Sequence, residues 1–225
     1  MKNLFLDIFQ RLVITISYLI KKGFSEKKFL EQILDEDSIV LDIGSNLGNF
    51  TSQVLNVNKK ITVHSVEPLE ELVNYQKKRF KNSKNIKIYN FAIDISNGFS
   101  TFYIREPNSH SSLEKNHQDE KINKIKNEIN IKTISMNSFL TENNISKVNL
   151  LKLDTEGNDL KILTSLKEHL ITGKIQYIKI EVHIRYFKEM LIFAQENHLH
   201  ILGFNNLFYL NNRIQMFDMF LENKN

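Results

Sequence analysis

The sequence predicts a single α/β domain whose central, mostly parallel sheet has helices on both faces and an antiparallel strand at one edge. Three observations support this fold. Apolar, β-branched runs alternate with helical patterns along most of the 225 residues, an order typical of parallel sheets with crossover helices. The first run ends in a glycine-containing turn (residues 42–48), as in doubly wound sheets. The last two runs are joined by Asn211-Asn212, which indicates a tight antiparallel turn.

Each predicted element follows from its own pattern. Strands are predicted where β-branched and apolar residues run together, and helices where apolar residues recur every three to four positions. In chain order the strands are 38–43, 61–66, 86–89, 148–153 and 175–182, with helices at 25–34, 48–55, 70–80, 136–140, 159–170 and 186–196. Segments 200–202, 208–210 and 214–220 are predicted to close the sheet.

The pattern is weakest between residues 98 and 135. Gly98 permits a turn, residues 100–104 alternate polar and apolar side chains, and 131–134 is predicted as a short extended piece. Residues 108–130 are polar and rich in lysine. We expect this stretch to be an insertion on the substrate side, because long polar loops in compact domains often carry function.

Residues 1–35 are predicted to form a helical extension. The apolar stretch at 12–20 is shorter than the roughly 20 residues that a membrane-spanning helix needs. Asp7 upstream and the lack of a small-residue cleavage site argue against a signal peptide. We expect an amphipathic helix that covers the core, with peripheral membrane contact as the alternative.

The composition is that of a globular chain without disulfides. Hydrophobic residues make up 41% of the chain and charged residues 25%, so a sizeable core is expected. The absence of Cys excludes disulfides, thiolate zinc sites and cysteine nucleophiles, and suits the cytoplasm. The net charge is +4, and its main basic run, at 77–87, is interpreted as a solvated helix face. We therefore expect no nucleic-acid partner.

The first predicted strand ends in a turn with the sequence Asp42-Ile43-Gly44-Ser45-Asn46-Leu47-Gly48-Asn49-Phe50. Glycine lets the backbone take positive φ and approach a ligand closely, and the first turn of such a sheet lies where ligands bind. A dinucleotide site would need glycine in place of Asn46. The Asp42 carboxylate would repel a pyrophosphate and attract the ammonium and sulfonium groups of S-adenosylmethionine, so the electrostatics favour that cofactor.

An acid also ends the second strand, in Ser65-Val66-Glu67-Pro68. A carboxylate at this position accepts hydrogen bonds from the two hydroxyls of a ribose, as it does in dinucleotide enzymes. Pro68 fixes the chain as it leaves the strand and can open the next helix. Glu67 alone is a weak signal, but one βα unit after the glycine turn it supports a nucleoside ligand.

Taken in chain order, these motifs resemble the FkbM family of S-adenosylmethionine-dependent methyltransferases, and later segments extend the match: Asn90-Phe91-Ala92, Leu153-Asp154-Thr155-Glu156-Gly157 and Ile180-Glu181-Val182-His183. The resemblance covers roughly residues 38–185. It implies a Rossmann-like methyltransferase fold and O-methylation, often of sugars or other secondary metabolites. It also implies that the cofactor is bound by a set of residues along the first strands: Asp42, Gly44, Ser45, Asn46, Gly48, Asn49, Glu67, Pro68, Asn90 and Ala92.

The candidate catalytic residues are Asp154, Glu156, Glu181 and His183. Methyl transfer to oxygen needs a group that takes the hydroxyl proton, which contributes roughly 10²–10⁴-fold. Asp154 or His183 is the predicted base, with Glu156 and Glu181 orienting the acceptor or binding a cation. His110, in the polar insertion, is a further candidate base. Two carboxylates and a histidine also match an oxygen and nitrogen site for Mg²⁺ or Mn²⁺, and the sequence leaves that alternative open.

The favoured hypothesis is an O-methyltransferase whose acceptor is a sugar, a glycan precursor or another small molecule. The sequence lacks the Asn/Asp-Pro-Pro-aromatic pattern associated with N-methylation, a Gly-x-Ser-x-Gly elbow and a Walker-type loop. N-methylation, or a Rossmann protein that binds a nucleotide cofactor without methyl transfer, remains the alternative. The oligomeric state is left open.

Overall fold

The computed structural model describes residues 24–105, 111–113, 124–210 and 213–225. Several predictions made from the sequence therefore lie outside the described residues: the N-terminal helix, most of the 108–130 insertion with His110, and the Asn211-Asn212 turn. The elements below are numbered in chain order within the described residues.

The described chain alternates strands and helices. The helices are α1 (Glu26–Ile33), α2 (Asn49–Val57), α3 (Glu70–Arg79), α4 (Met136–Glu142), α5 (Asp159–Ser165), α6 (Lys167–Ile171) and α7 (Phe187–Glu196). The strands are β1 (Ile39–Ile43), β2 (Thr62–Val66), β3 (Ile86–Tyr89), β4 (Ala92–Asp94), β5 (Gly98–Arg105), β6 (Ile125–Ser135), β7 (Val148–Leu153), β8 (Ile175–His183), β9 (Leu199–Leu210) and β10 (Arg213–Asn223).

Seven strands form the central sheet in the order β3-β2-β1-β7-β8-β10-β9. The β1–β2, β1–β7, β2–β3 and β7–β8 pairs are parallel, whereas β10 is antiparallel to both β8 and β9. The predicted class, a mostly parallel sheet with an antiparallel pair at one edge, is confirmed. Strand order reverses beside β1, and the crevice at such a switch point is where ligands bind in these sheets.

The two faces of the sheet pack against separate hydrophobic clusters. Val40 and Leu150 face the cluster that includes Phe29 of α1 and Val54 of α2. Their neighbours along the strands, such as Leu41, face the larger cluster formed with α4 to α7. This two-residue alternation between helical layers is the reason why the central strands are apolar on both sides. It also fixes which strand-end side chains share a face.

A second, three-stranded sheet in the order β4-β6-β5 was not predicted. Ala92–Asp94 pairs in parallel with the end of β6, and β5 pairs with β6 along most of its length. The 131–134 piece is thus the end of an eleven-residue strand. Its first half, Ile125–Asn130, is largely exposed and polar, so it lacks the apolar alternation from which a strand is predicted.

Smaller differences occur elsewhere. The predicted 159–170 helix is divided into α5 and α6 at Leu166, and the two short segments predicted near 200 and 208 form the single strand β9. The β3 and β7 strands have the predicted bounds. In the described part of the chain, no helix combines the length and the apolar character that crossing a membrane requires.

Candidate functional site

A cavity opens at the carboxyl ends of β1, β2, β7 and β8. Its empty volume is about 820 Å³, counted with the solvent at its mouth. Its lining includes four carboxylates, those of Glu67, Asp154, Glu156 and Glu181. No Lys, Arg or His is among the lining residues of the described chain. The site is therefore acidic although the whole protein carries a net charge of +4.

The glycine turn begins at Gly44, where only glycine fits. The φ angle is +72°, and a Cβ atom would lie 1.8 Å from the backbone oxygen of Asp154. Such a contact with backbone cannot be relieved by a side-chain rotation. The N–H groups of Gly44 and Ser45 both donate to the carbonyl of Val66, at 3.0 and 3.1 Å. The turn is thus packed between the ends of β2 and β7.

Glu67 connects this turn to the start of α3. Its Oε2 accepts a hydrogen bond from the N–H of Asn46 at 2.9 Å, and its Oε1 accepts one from the N–H of Leu69 at 2.9 Å. The backbone of Asn46 has a φ of +50°, which is uncommon for a residue other than glycine. Burial raises the pKa of Glu67 to about 7, although both backbone hydrogen bonds oppose the shift. Each carboxylate oxygen of Glu67 can still accept a further hydrogen bond from a ligand.

Asp42 lies beneath the turn and does not line the cavity. It is fully buried, and its Oδ2 accepts hydrogen bonds from the N–H and hydroxyl of Thr51, at 3.2 and 2.7 Å. Its Oδ1 lies 3.1 Å from the Nζ of Lys152. Asp42 and Lys152 are register partners on β1 and β7 and share a face of the sheet. Asp42, predicted to bind the cofactor, thus contacts Thr51 and Lys152 in this structure.

Ser45 and Gly48 support the turn from outside the cavity. The hydroxyl of Ser45 accepts a hydrogen bond from Nε2 of Gln76 at 2.8 Å, and the same amide donates to the carbonyl of Asn46 at 2.7 Å. Gly48, with φ +74°, lies where a Cβ atom would be 2.6 Å from the ring of Phe80. Both residues, predicted to bind cofactor, position the loop in this structure.

Asn49 and Asn90 also contact protein groups. The Oδ1 of Asn49 accepts a hydrogen bond from Arg79 at 2.8 Å, and Nδ2 of Asn90 donates to the carbonyl of Pro68 at 2.8 Å. Neither asparagine is among the cavity-lining residues, whereas Pro68 and Ala92 are. The structure therefore places part of the predicted cofactor set in the cavity wall and part behind it.

The turn after β7 is fixed by Asp159, which the sequence analysis missed. One carboxylate oxygen accepts hydrogen bonds from the N–H and hydroxyl of Thr155, at 2.7 and 2.9 Å, and the other accepts one from the N–H of Gly157 at 3.1 Å. Burial, followed by the charge of Asp154, raises the pKa of Asp159 to about 7. The signal available in the sequence was an acid opening the helix after a short polar turn.

Lys152 is a second residue that the sequence analysis did not single out. Its Nζ lies 3.2 Å from Oδ2 of Asp154 and donates to the carbonyl of Gly44 at 2.9 Å, in addition to its contact with Asp42. Burial alone would lower the pKa of Lys152, but the carboxylates of Asp154 and Asp42 outweigh that effect and raise it. The side chain is therefore a buried, fully charged ammonium.

Glu156, Glu181 and His183 form a cluster beside Asp154. Their possible ligand atoms all lie within 4.8 Å of one another, and Oε2 of Glu181 is 3.3 Å from Nε2 of His183. Glu181 and His183 share a face of β8, as the two-residue alternation predicts. Glu181 lines the cavity, and the imidazole lies behind it against a smaller pocket. Burial, followed by the charges of Asp154 and Glu156, raises the pKa of Glu181 well above its ordinary value.

The remaining cavity wall is apolar and comes partly from the second sheet. Phe102 of β5 packs with Leu69, Ala92 and Ile131 in a small cluster, and Leu113 packs against it. Phe102 and Leu113 both line the cavity. Sequence reasoning missed this wall because an apolar residue of an unpredicted sheet is not distinguishable from core. Ser111 and Leu113, which belong to the predicted insertion, also line the cavity.

Residues 42–207 match the model of the methyltransferase FkbM domain. A relative named Methyltransferase 1, from Beauveria bassiana (strain ARSEF 2860), is 23% identical over 169 residues, with 68% of each chain covered.

Two solved structures are similar in fold. One is a Streptococcus mutans protein in complex with S-adenosylhomocysteine, with a TM-score of 0.50, 16% identity and coverage of 87% of this chain and 94% of that one. The other is an rRNA methylase from Streptococcus thermophilus, with a TM-score of 0.49, 14% identity and coverage of 88% and 93%. The chain belongs to the FkbM methyltransferase family, and is an S-adenosylmethionine-dependent methyltransferase with a Rossmann-like fold.

Proposed function

We propose that this protein methylates a hydroxyl oxygen of a sugar, a glycan precursor or another small metabolite. The observation that carries the proposal is the placement of Glu181, a cavity-lining carboxylate with a strongly raised pKa, beside the end of β7. A hydroxyl group is a poor nucleophile until its proton is removed, so a base with a raised pKa at this position suits an oxygen acceptor.

The cavity has the groups needed to hold the donor. S-adenosylmethionine supplies an electrophilic methyl carbon on a positively charged sulfur. Glu67 is placed to accept hydrogen bonds from the ribose hydroxyls, and the apolar wall with Phe102 is suited to the adenine ring. Asp154, whose side chain is 35% exposed beside Gly44, faces the cationic end of the donor. Asp154 thus takes the electrostatic role that the sequence assigned to Asp42.

Glu181 is proposed as the base in preference to Asp154 and His183. Burial raises the pKa of Asp154, but the Lys152 ammonium, 3.2 Å from one of its oxygens, opposes that rise, and no cation acts in the same way on Glu181 among the main causes of its raised pKa. His183 is buried behind Glu181 and 3.3 Å from it, where it can orient that carboxylate. When bound, the donor would supply its methyl carbon to the acceptor oxygen, with the donor's sulfur keeping the electron pair of the broken sulfur–carbon bond. Glu181 would accept the acceptor's hydroxyl proton. Glu156 is positioned to orient the acceptor.

The acidic lining also favours a neutral acceptor. Among the lining residues of the described chain there are four acids and no Lys, Arg or His, so no lining cation would compensate a phosphate or carboxylate group near the methyl donor. This argues against nucleic-acid acceptors and in favour of polyhydroxyl compounds, whose hydroxyls donate to carboxylates. An amine acceptor would also be attracted, so N-methylation is the second candidate for this site.

The test is to identify the atom that receives the methyl group. The purified protein is incubated with donor carrying a ¹³C-methyl label and with separate pools of sugars, nucleotide sugars and amines. The carbon chemical shift of the product distinguishes O–CH₃ from N–CH₃. We expect an O–CH₃ signal that Glu181→Gln largely abolishes. An N–CH₃ product, or thermal stabilisation by NAD(H) but not by S-adenosylhomocysteine, would overturn the proposal.

A divalent cation is the alternative use of the Glu156, Glu181 and His183 cluster. Two carboxylates and one imidazole suit Mg²⁺ or Mn²⁺, and such an ion would orient the acceptor oxygen and lower its pKa. The proton-transfer proposal expects turnover to survive exhaustive EDTA treatment. Loss of turnover that added Mg²⁺ or Mn²⁺ restores would assign the cluster to the cation instead.

A further inference from the structure

Lys152 is a buried cation that lies between the glycine turn and the catalytic carboxylates. Its side chain is 7% exposed, and its Nζ is 3.1 Å from Asp42, 3.2 Å from Asp154 and 2.9 Å from the carbonyl of Gly44. An ammonium group has three N–H donors. The carbonyl of Gly44 accepts a hydrogen bond, the two carboxylates are ion-pair partners, and the three oxygens belong to the ends of two different strands.

We propose that Lys152 is a positioning residue, which aligns the Asp154 carboxylate with the carbonyl of Gly44 so that both face the donor's cationic end. The inference rests on the proposed function, because it assumes that the donor occupies this cavity. Without the ammonium, Asp154 loses its contact with Lys152 and is free to turn toward solvent at the cavity mouth. Misplacement of a group by about 1 Å can cost on the order of 10² in rate.

A purely structural role is the competing explanation. Lys152 could serve only to compensate the buried charge of Asp42, whose removal from water is costly unless it is paired. The chain contains a matched comparison in Lys179, the register neighbour of Lys152 on β8. Its side chain is 8% exposed and pairs with Glu26 at 2.7 Å and Asp218 at 3.0 Å. Neither partner lines the cavity.

The experiment is a double-mutant cycle on donor binding. The Kd for S-adenosylmethionine is measured by titration calorimetry for the wild type, Lys152→Met, Asp154→Asn and the double variant. If Lys152 acts through Asp154, Lys152→Met weakens binding about tenfold in the wild type but less than about threefold in Asp154→Asn, since contacting residues are not additive. Equal losses in both backgrounds would overturn the inference. Lys179→Met should lower the Tm and leave the Kd within about twofold.

A second variant and a kinetic measurement allow the role of Lys152 to be tested even if Lys152→Met does not fold. If Lys152→Met does not fold, the same cycle is run with Lys152→Gln, whose amide is polar but carries no charge. In turnover, the donor KM should rise while the acceptor KM stays unchanged, a split that a general loss of stability does not produce. A wild type that binds no donor would defeat the proposed function itself, whereas normal binding with an additive cycle would defeat only the role of Lys152.

Discussion

The two acids that line opposite sides of the cavity, Glu67 and Glu181, are held in different ways. Both oxygens of Glu67 accept a backbone N–H at 2.9 Å, one from each flanking segment. Glu181 instead faces His183 at 3.3 Å and lies within the field of Asp154, Glu156, Asp159 and Asp218. Burial raises the pKa of both groups, but backbone donors limit the rise only for Glu67.

Under the proposed function, this difference separates the site into a donor side and an acceptor side. On the donor side, strand-end hydrogen bonds and the glycine turn hold the binding groups in place before the ligand arrives, so binding requires little reordering. On the acceptor side, like charges are kept together at a cost in stability, which is typical of groups that must take up a proton.

The largest expected effect is that of Gly44→Ala on the donor side. A methyl group would lie 1.8 Å from the backbone oxygen of Asp154, so β1 and β7 would have to separate. We expect loss of soluble folded protein, or a loss in the free energy of unfolding on the order of 4 kcal/mol or more. Gly173→Ala is the control, because Gly173 has a similar φ of +66° but meets only the terminal Asn225, at 3.1 Å. Thermal unfolding of both variants measures the difference.

Glu181→Gln should separate stability from activity on the acceptor side. Removal of one charge from a group of buried acids raises the free energy of unfolding, while loss of the base lowers kcat by roughly 10²-fold or more. The Tm and the single-turnover rate are measured on the same preparation. Glu189→Gln, an exposed acid on α7, is the control and should change neither quantity appreciably. A less stable variant with unchanged kcat would contradict the division of the site.

The pH dependence of donor binding tests Glu67. Its pKa in the free protein is raised to about 7, and ribose hydroxyls donate to the ionised form. Donor affinity should therefore fall up to about tenfold per pH unit below 7 and level off above it. The stability of the free protein depends on pH in the opposite direction. Folded Glu67 holds its proton more tightly than unfolded Glu67, so protonated Glu67 stabilises the fold below pH 4.5, and this stabilisation is lost as the pH rises to about 7. Calorimetric titrations with the donor between pH 5.5 and 8.5 test this prediction. The donor affinity of Glu67→Gln should depend less on pH than that of the wild type.

Much of the donor side could be predicted from the sequence. The strand–turn–helix context of Gly44 and the acid after β2 are local patterns, and the structure places Gly44 and Glu67 in the cavity lining. The position of Asp42 behind the cavity wall could not be predicted, for a physical reason. A strand-end acid is visible in the sequence, but its partner Lys152 is 110 residues away and becomes adjacent only through the β1–β7 register.

The acceptor side was less predictable for the same reason. Glu181 and His183 were identified because one strand carries both, and their shared face follows from alternation alone. Asp159 and Phe102 were missed: the first acts through hydrogen bonds within a turn, and the second belongs to a sheet whose strand β6 is half polar. Most of the features that could not be predicted from the sequence thus depend on strand pairing between distant segments of the chain.

The smallest expected effect is that of Asn46→Gly, which restores the middle glycine of a dinucleotide fingerprint. Asn46 has φ +50°, so glycine relieves local strain while adding chain entropy to the unfolded state. We expect a change in unfolding free energy within about 1 kcal/mol. The backbone N–H that donates to Glu67 remains, and the described part of the cavity lining still offers a pyrophosphate no Lys, Arg or His. Thermal-shift assays with S-adenosylhomocysteine and with NAD(H) should therefore show the same preference as the wild type. Binding of NAD(H) by the variant would mean that the missing glycine, and not the acidic lining, selects the donor.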